Sequence, residues 1–94
     1  MTELDELRRQ LDRTDREIVR IFEERLATVR RIAAYKGEAG LPVRDPEREA
    51  HVLETRAAML EDPQYAAEVR LLFVAIMGIS REMEERLIRE NSHA

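Results

Sequence analysis

Eight charged or hydroxyl-bearing residues lie on helix faces that the sequence pattern otherwise fills with apolar side chains. Four of them are cations, three are acids and one is a serine, a set that suits a small ligand with carboxylates, a hydroxyl and an ether or carbonyl oxygen. A charge that points inward is costly unless it is paired, so we expect these groups to bind an anionic ligand or one another. The eight residues are Arg8, Arg25, Lys36, Asp45, Arg48, Glu49, Ser80 and Glu84.

Other chemistries lack the residues that they need. The chain has no cysteine, which excludes a disulfide framework, a thiol nucleophile and a thiolate metal site. Its two histidines, His51 and His93, lie away from the eight residues, so no hydrolase triad is expected. His51 with Glu47 or Glu54 could mimic a metal pair, but a third ligand is missing. There is no glycine-rich phosphate loop either, and we predict no metal site.

A long helix must position the first three of these residues. The stretch from Leu4 to Lys36 contains neither glycine nor proline, and its apolar residues recur at steps of three and four. Arg25 and Lys36 are on the same row of this helix with Cα atoms about 16 Å apart, so their long side chains could hold one small dianion between them. The apolar positions are Leu4, Leu7, Leu11, Ile18, Phe22, Val29 and Ile32.

The length of this helix predicts a second chain. It would be about 50 Å long, whereas a compact 94-residue domain has a radius of gyration of only about 12 Å. Arg8 lies about 25 Å from Arg25 along the axis, so it could bind the same ligand only from another chain. An ordinary pair between Arg8 and Asp15 within the helix is the alternative. We therefore expect a homodimer in which the partner covers the overhanging part of the helix.

Glycine and proline mark the ends of the helices. Gly37 and Gly40 are predicted to end the first helix. Asp45-Pro46 supplies an N-cap and a first-turn proline for a second helix that runs to about residue 60. Its polar start points the way its apolar face points, so its free N–H groups would face the core.

Asp62-Pro63 repeats this device and opens a third helix, from Gln64 to about Arg89. Ser80 and Glu84 interrupt the apolar stripe of this helix, although a serine there could simply bond its own i−4 carbonyl. We expect residues 91–94 to fray. The sequence thus predicts an all-α fold with one long and two shorter helices, in a single domain over residues 1–94.

Composition limits which partners the protein is expected to bind and which cell compartment it is expected to occupy. The net charge of −4 argues against nucleic acid. No apolar run approaches the roughly 20 residues of a membrane span, and no signal-peptide core is present, so we expect a soluble cytoplasmic protein without a membrane partner. Lys36 is the only lysine among 16 basic residues, which suggests that a compact ammonium is needed there, unless chance explains it.

The same residues carry a resemblance to a known family. Arg8, Arg25 and Lys36, followed by PVRDPERE at 42–49 and SREME at 80–84, resemble the all-helical, AroQ-type chorismate mutases over about residues 4–90. The resemblance implies an intertwined homodimer of three-helix chains with two active sites, each built from both chains. It also implies the Claisen rearrangement of chorismate to prephenate, the branch step toward phenylalanine and tyrosine, with no cofactor and no covalent intermediate.

The resemblance further implies roles at the carboxylates and the ether oxygen of the substrate. Arg25 and Arg8 of the partner chain would bind the two carboxylates, helped by Ser80. Lys36 and Glu84 would face the ether oxygen, which gains negative charge as its C–O bond breaks. Many family members carry glutamine at the position of Glu84. Because only a protonated acid can donate a hydrogen bond, we expect activity to increase toward mildly acidic pH.

The remaining residues would form the opposite wall. By the resemblance, Glu49 would accept a hydrogen bond from the ring hydroxyl, with Asp45 and Arg48 beside it. Ile32 and Met77 would supply apolar walls.

Three other functions stay open. Isochorismate pyruvate-lyases share this fold and much of the site, and a mutase acting on 4-amino-4-deoxychorismate would need only an amine in place of the hydroxyl at Glu49. A non-catalytic helical dimer is the third. A larger pathway enzyme could bind and activate a mutase of this size.

Overall fold

The computed structural model describes residues 1–92 and is built from three α-helices. Helix α1 spans Glu3–Ala39, helix α2 spans Pro46–Ala58, and helix α3 spans Ala66–Ser92 after a 3-10 turn at Pro63–Tyr65. Residues 1–92 contain no β-strand. The predicted all-α fold, with one long and two shorter helices, is confirmed.

Helix α1 is capped at both ends. Thr2 Oγ1 accepts a hydrogen bond from the backbone N–H of Asp5, and the Asp5 carboxylate accepts from the backbone N–H of Thr2, which completes a capping box. At the other end Gly40 adopts φ 66°, where a side chain would be strained, and its N–H donates to the Lys36 carbonyl. Gly37 was predicted to help end the helix, but it lies within it. Gly40, with its left-handed backbone, is therefore the residue that ends α1.

Helix α2 begins where the sequence predicts and ends slightly earlier. Asp45 Oδ1 accepts from the backbone N–H of Arg48 at 3.1 Å, and Pro46 occupies the first turn. One of the N–H groups predicted to be free is therefore capped by Asp45. The helix ends at Ala58, and Met59, the C-cap, is 70% exposed.

Helix α3 begins two residues later than predicted, because Gln64 belongs to the 3-10 turn, and it ends about three residues later. Asp62 caps the short turn through the N–H of Gln64, and the helix then continues to Ser92 instead of ending near Arg89. Asn91 and Ser92, predicted to fray, are helical, and Ser92 Oγ donates to the Ile88 carbonyl at 2.7 Å. His93 and Ala94, for which fraying was also predicted, lie outside the described residues.

The core is small and forms around α3, against which α1 and α2 both pack. Its buried apolar side chains come from all three helices: Val29, Ala33, Val52 and Met77. Ser80 and Glu84 are buried beside them at 7% and 6% exposure. This small core therefore contains a carboxyl group and a hydroxyl group, so polar side chains lie at the centre of the fold.

The N-terminal half of α1 packs against nothing in the described part of the chain. Residues 1–21 are all exposed, and the radius of gyration is 16.9 Å with extents of 54 × 29 × 14 Å. The helix therefore extends beyond the rest of the chain, as its predicted length requires. Its exposed apolar side chains are Leu4, Leu7, Leu11, Ile18, Val19 and Ile21. None of the helices within residues 1–92 combines the length and the apolar character that a membrane crossing requires.

Candidate active site

Seven of the eight residues that the sequence singles out line one cavity of about 150 Å³ between the three helices. Ile32 and Met77, expected as apolar walls, line it too, as do Val29, Val43, Val52 and Arg81. A larger groove of about 490 Å³ between the C-terminal ends of α1 and α3 contains none of the eight. The smaller cavity is therefore the candidate active site. The seven residues are Arg25, Lys36, Asp45, Arg48, Glu49, Ser80 and Glu84.

Arg25 is held by Ser80. Its Nη1 donates to Ser80 Oγ at 2.7 Å, and the Ser80 hydroxyl donates its one proton to the Ile76 carbonyl at 2.8 Å. The sequence suggested two interpretations of Ser80, a bond to its own backbone and a contact with the site, and both occur together. In this arrangement Ser80 accepts from the guanidinium and orients it across the cavity.

The surroundings of Arg25 carry an excess of positive charge. Burial lowers the pKa of Arg25, the nearby cations Arg56 and Arg48 lower it further, and Glu84 acts in the opposite direction. The guanidinium stays protonated all the same. A cluster of cations that repel one another favours the binding of an anion, which relieves the repulsion. Arg56 was not among the predicted residues.

Lys36 joins the end of α1 to α3. Its Nζ donates to the Val43 carbonyl at 2.8 Å and lies 2.9 Å from Glu84 Oε1. The contact with Glu84 is a buried ion pair, in which the ammonium neutralises the carboxylate.

Helix α2 contributes the opposite wall. Asp45 is engaged as the cap of α2, and Arg48 is exposed at the rim. Glu49 Oε1 accepts from Arg81 Nη1 at 2.6 Å, a pair that links α2 to α3. Arg81 was not predicted, although it directly follows Ser80 and Glu49 needed a counter-charge.

Arg8 is the one predicted residue that this chain does not bring to the cavity. It is exposed on α1, about 25 Å along the axis from Arg25. The alternative pair with Asp15 is absent, since no ion pair within 4.0 Å joins them in the described part of the chain. Arg8 thus has no role within a single chain.

Within residues 1–92 no group of three histidine, cysteine, aspartate or glutamate side chains could hold a metal ion. His51 is exposed on α2.

Three helices around a polar cavity, lined by four cations and three acids, define an all-helical protein with a candidate site for a small anion. A family model described as chorismate mutase type II matches residues 7–85, which is most of the chain. The chain belongs to the chorismate mutase type II family.

Curated relatives agree with this assignment. The chain is 46% identical over 54 residues to the "Bifunctional chorismate mutase/prephenate dehydratase" of Aquifex aeolicus. The matched stretch covers 57% of this chain and 15% of that protein. It is 35% identical over 69 residues to the "T-protein" of Haemophilus influenzae, covering 73% of this chain and 18% of that protein.

A third relative matches over nearly its whole length. The "Chorismate mutase" of Methanocaldococcus jannaschii is 21% identical over 91 residues, covering 96% of this chain and 92% of that protein. In contrast, the chain spans less than a fifth of the length of the first two relatives. No solved structure gives a significant match.

Proposed function

We propose that this chain catalyses the rearrangement of chorismate to prephenate, in the biosynthesis of phenylalanine and tyrosine. The observation that carries the proposal is the convergence of seven charged or hydroxyl side chains on one cavity of about 150 Å³. Family membership and relatives named as chorismate mutases support it.

The reaction needs no covalent bond between the protein and the substrate. The ether C–O bond breaks while a C–C bond forms within the same molecule, so no atom passes between substrate and protein. Catalysis then consists of holding the compact reactive conformer and stabilising the charge that develops in the transition state. A rigid cavity lined by cations suits both tasks for a dicarboxylate.

Arg25 is the natural carboxylate ligand in this cavity. One of its nitrogens is held by Ser80, which leaves the rest of the guanidinium fork for a bidentate contact with a carboxylate. The neighbouring cations Arg48 and Arg56, which lower the pKa of Arg25, add to the attraction. Ser80 acts here as a positioning residue.

Lys36 and Glu84 face the ether oxygen in this proposal. The bond to the Val43 carbonyl and the pair with Glu84 hold the Lys36 ammonium against the cavity. From there it can donate to the ether oxygen as negative charge grows in the transition state. Glu84 can add a second hydrogen bond only in its protonated form.

Glu49 binds the ring hydroxyl. Its Oε1 accepts from Arg81, and its second oxygen can accept from the substrate. Asp45 and Arg48, at the start of α2, form the adjoining wall.

The second carboxylate requires Arg8 of a partner chain, so we propose an intertwined homodimer. A compact monomer of 11.0 kDa would expose roughly 5,600 Å², whereas this chain exposes 7688 Å². The excess of roughly 2,000 Å² is large enough for an obligate interface. The apolar residues on the exposed half of α1, among them Leu7, Leu11 and Ile18, are the side chains that such an interface would bury.

The assay is direct. Incubation with chorismate should consume its absorbance and yield prephenate, and Arg25→Ala should abolish turnover while the helical content is kept. Arg20→Ala is the matched control, because Arg20 is exposed on α1 and pairs only with Glu17 and Glu24 of the same helix. Turnover retained by Arg25→Ala would reject the assigned site.

The same assay separates the other functions. An isochorismate pyruvate-lyase would release pyruvate from isochorismate, a mutase for the amino analogue would prefer 4-amino-4-deoxychorismate, and a non-catalytic dimer would leave all three substrates unchanged. Activation by a larger pathway enzyme and the cytoplasmic location stay predictions.

A further inference from the structure

Arg81 has no role of its own among the proposed ones, although it bonds to Glu49. Arg81 Nη1 lies 2.6 Å from Glu49 Oε1, and the two side chains are 31% and 24% exposed. The bond occupies one oxygen of the carboxylate and leaves the other for a ligand.

The Arg81 side chain passes close to a glycine one turn earlier. A Cβ added at Gly78 would lie 3.8 Å from Arg81 Nη2, in ordinary van der Waals contact. The guanidinium therefore lies along α3 while its Nη1 reaches Glu49 on α2.

The charge of Glu49 is thereby largely compensated before any ligand binds. A neutral hydroxyl can still donate to the second oxygen, because that hydrogen bond needs no net charge on the acceptor. An ammonium at the same ring position gains little from a compensated carboxylate, and it meets the repulsion of Arg81 and Arg48. The pair thus distinguishes a hydroxyl from an amine by charge, where size would not.

We propose that Arg81 is a specificity-determining residue, which, by pairing with Glu49, makes the site select a substrate with a neutral hydroxyl over its charged amino analogue. The inference rests on the proposed function and names a substrate preference within it. It predicts that chorismate is preferred to 4-amino-4-deoxychorismate, and that the preference depends on the positive charge at position 81.

The test compares kcat/KM for chorismate and for 4-amino-4-deoxychorismate in the wild type, Arg81→Gln and Arg81→Lys. The ratio of the two values should fall about fivefold in Arg81→Gln, the change that about 1 kcal/mol of charge interaction gives. Arg81→Lys keeps the charge and should keep the ratio within about twofold of the wild type. Arg86→Gln is the matched control, since Arg86 is exposed on α3 and pairs weakly with Glu90.

A purely structural role for Arg81 would lower both kcat/KM values together and leave their ratio unchanged. That result would overturn the inference while leaving the proposed function in place. If Arg81→Gln does not fold, Arg81→Met takes its place with the same expected fall. A wild type that converts neither substrate would overturn the proposed function itself, and the inference with it.

Discussion

Lys36 Nζ, near the end of α1, lies 2.9 Å from Glu84 Oε1 on α3, in the interior of the fold. Both side chains are largely shielded from water, at 19% and 8% exposure. The ammonium compensates an acid that the fold buries, and it also belongs to the proposed catalytic site. Stability and activity therefore depend on the same pair.

Removing the cation alone should be costly for folding. Lys36→Met should lower the free energy of unfolding at neutral pH by about 3 kcal/mol, because it leaves the buried carboxylate of Glu84 without its ion-pair partner. Urea denaturation at a fixed protein concentration measures the change. The double variant Lys36→Met/Glu84→Gln should recover much of the loss, since no charge remains uncompensated. Equal losses in the single and double variants would show that the pair is not what stabilises the fold.

The pH dependence of turnover tests the position of Glu84. As a carboxylate, Glu84 would repel the electron-rich ether oxygen of the substrate. Only the protonated acid donates, so kcat/KM of the wild type should increase as the pH is lowered from about 8 to about 5. Glu84→Gln donates through its amide at every pH, and its profile should be flat over that range. A flat wild-type profile would contradict the assigned role.

Mixing two inactive variants tests whether two chains share a site. Arg8→Ala and Arg25→Ala should each be inactive. Refolded together at equal amounts, they should recover about a quarter of the wild-type activity, because half of the dimers are mixed and each has one intact site of two.

The control for this experiment is a mixture of Arg25→Ala and Lys36→Ala. Both residues line the cavity of one chain, so every site in this mixture lacks one of them and no activity should return. Recovery in the control, or none in the first mixture, would contradict the proposed sharing of the site.

Two glycines with different backbones give opposite predictions for stability. Gly40 ends α1 at φ 66°, so Gly40→Ala should destabilise the protein by about 1 kcal/mol. Gly78 lies inside α3 with no atom closer than 3.8 Å to an added Cβ, and Gly78→Ala should stabilise the protein by about 0.5–1 kcal/mol through helix propensity. Thermal unfolding of the two variants under identical conditions measures both. A stabilised Gly40→Ala would contradict the role of the left-handed cap.

Helix starts could be predicted from the sequence because their signals are local. Asp45-Pro46 carries both the cap and the first-turn proline within two residues, and α2 starts there. The end of α1 was less certain, since Gly37 and Gly40 give the same signal. The sequence does not tell which of them adopts the left-handed backbone that ends the helix, and in the structure it is Gly40, at φ 66°.

Most of the cavity could also be predicted, because helical spacing places residues on faces. Ser80 and Glu84 stand out within an apolar stripe, whereas Arg81 falls one residue off that stripe. Its contact with Glu49 depends on how α2 lies against α3, which spacing along one helix does not reveal. The exposed apolar face along the first half of α1 agrees with the overhang that the length of the helix predicts, whereas its cover by a partner chain stays a prediction.

Lys36 also constrains the connector that follows it. Its carbonyl accepts from Gly40 and from Leu41 at 2.9 Å, while its ammonium donates to the Val43 carbonyl. The carbonyl and the ammonium of Lys36 thus both bind the connector at residues 40–45, and the site constrains the length of this connector. An affinity tag or grafted epitope inserted there would displace the ammonium, whereas the turn at residues 59–62, whose bonds are local, is the better place for such an insertion.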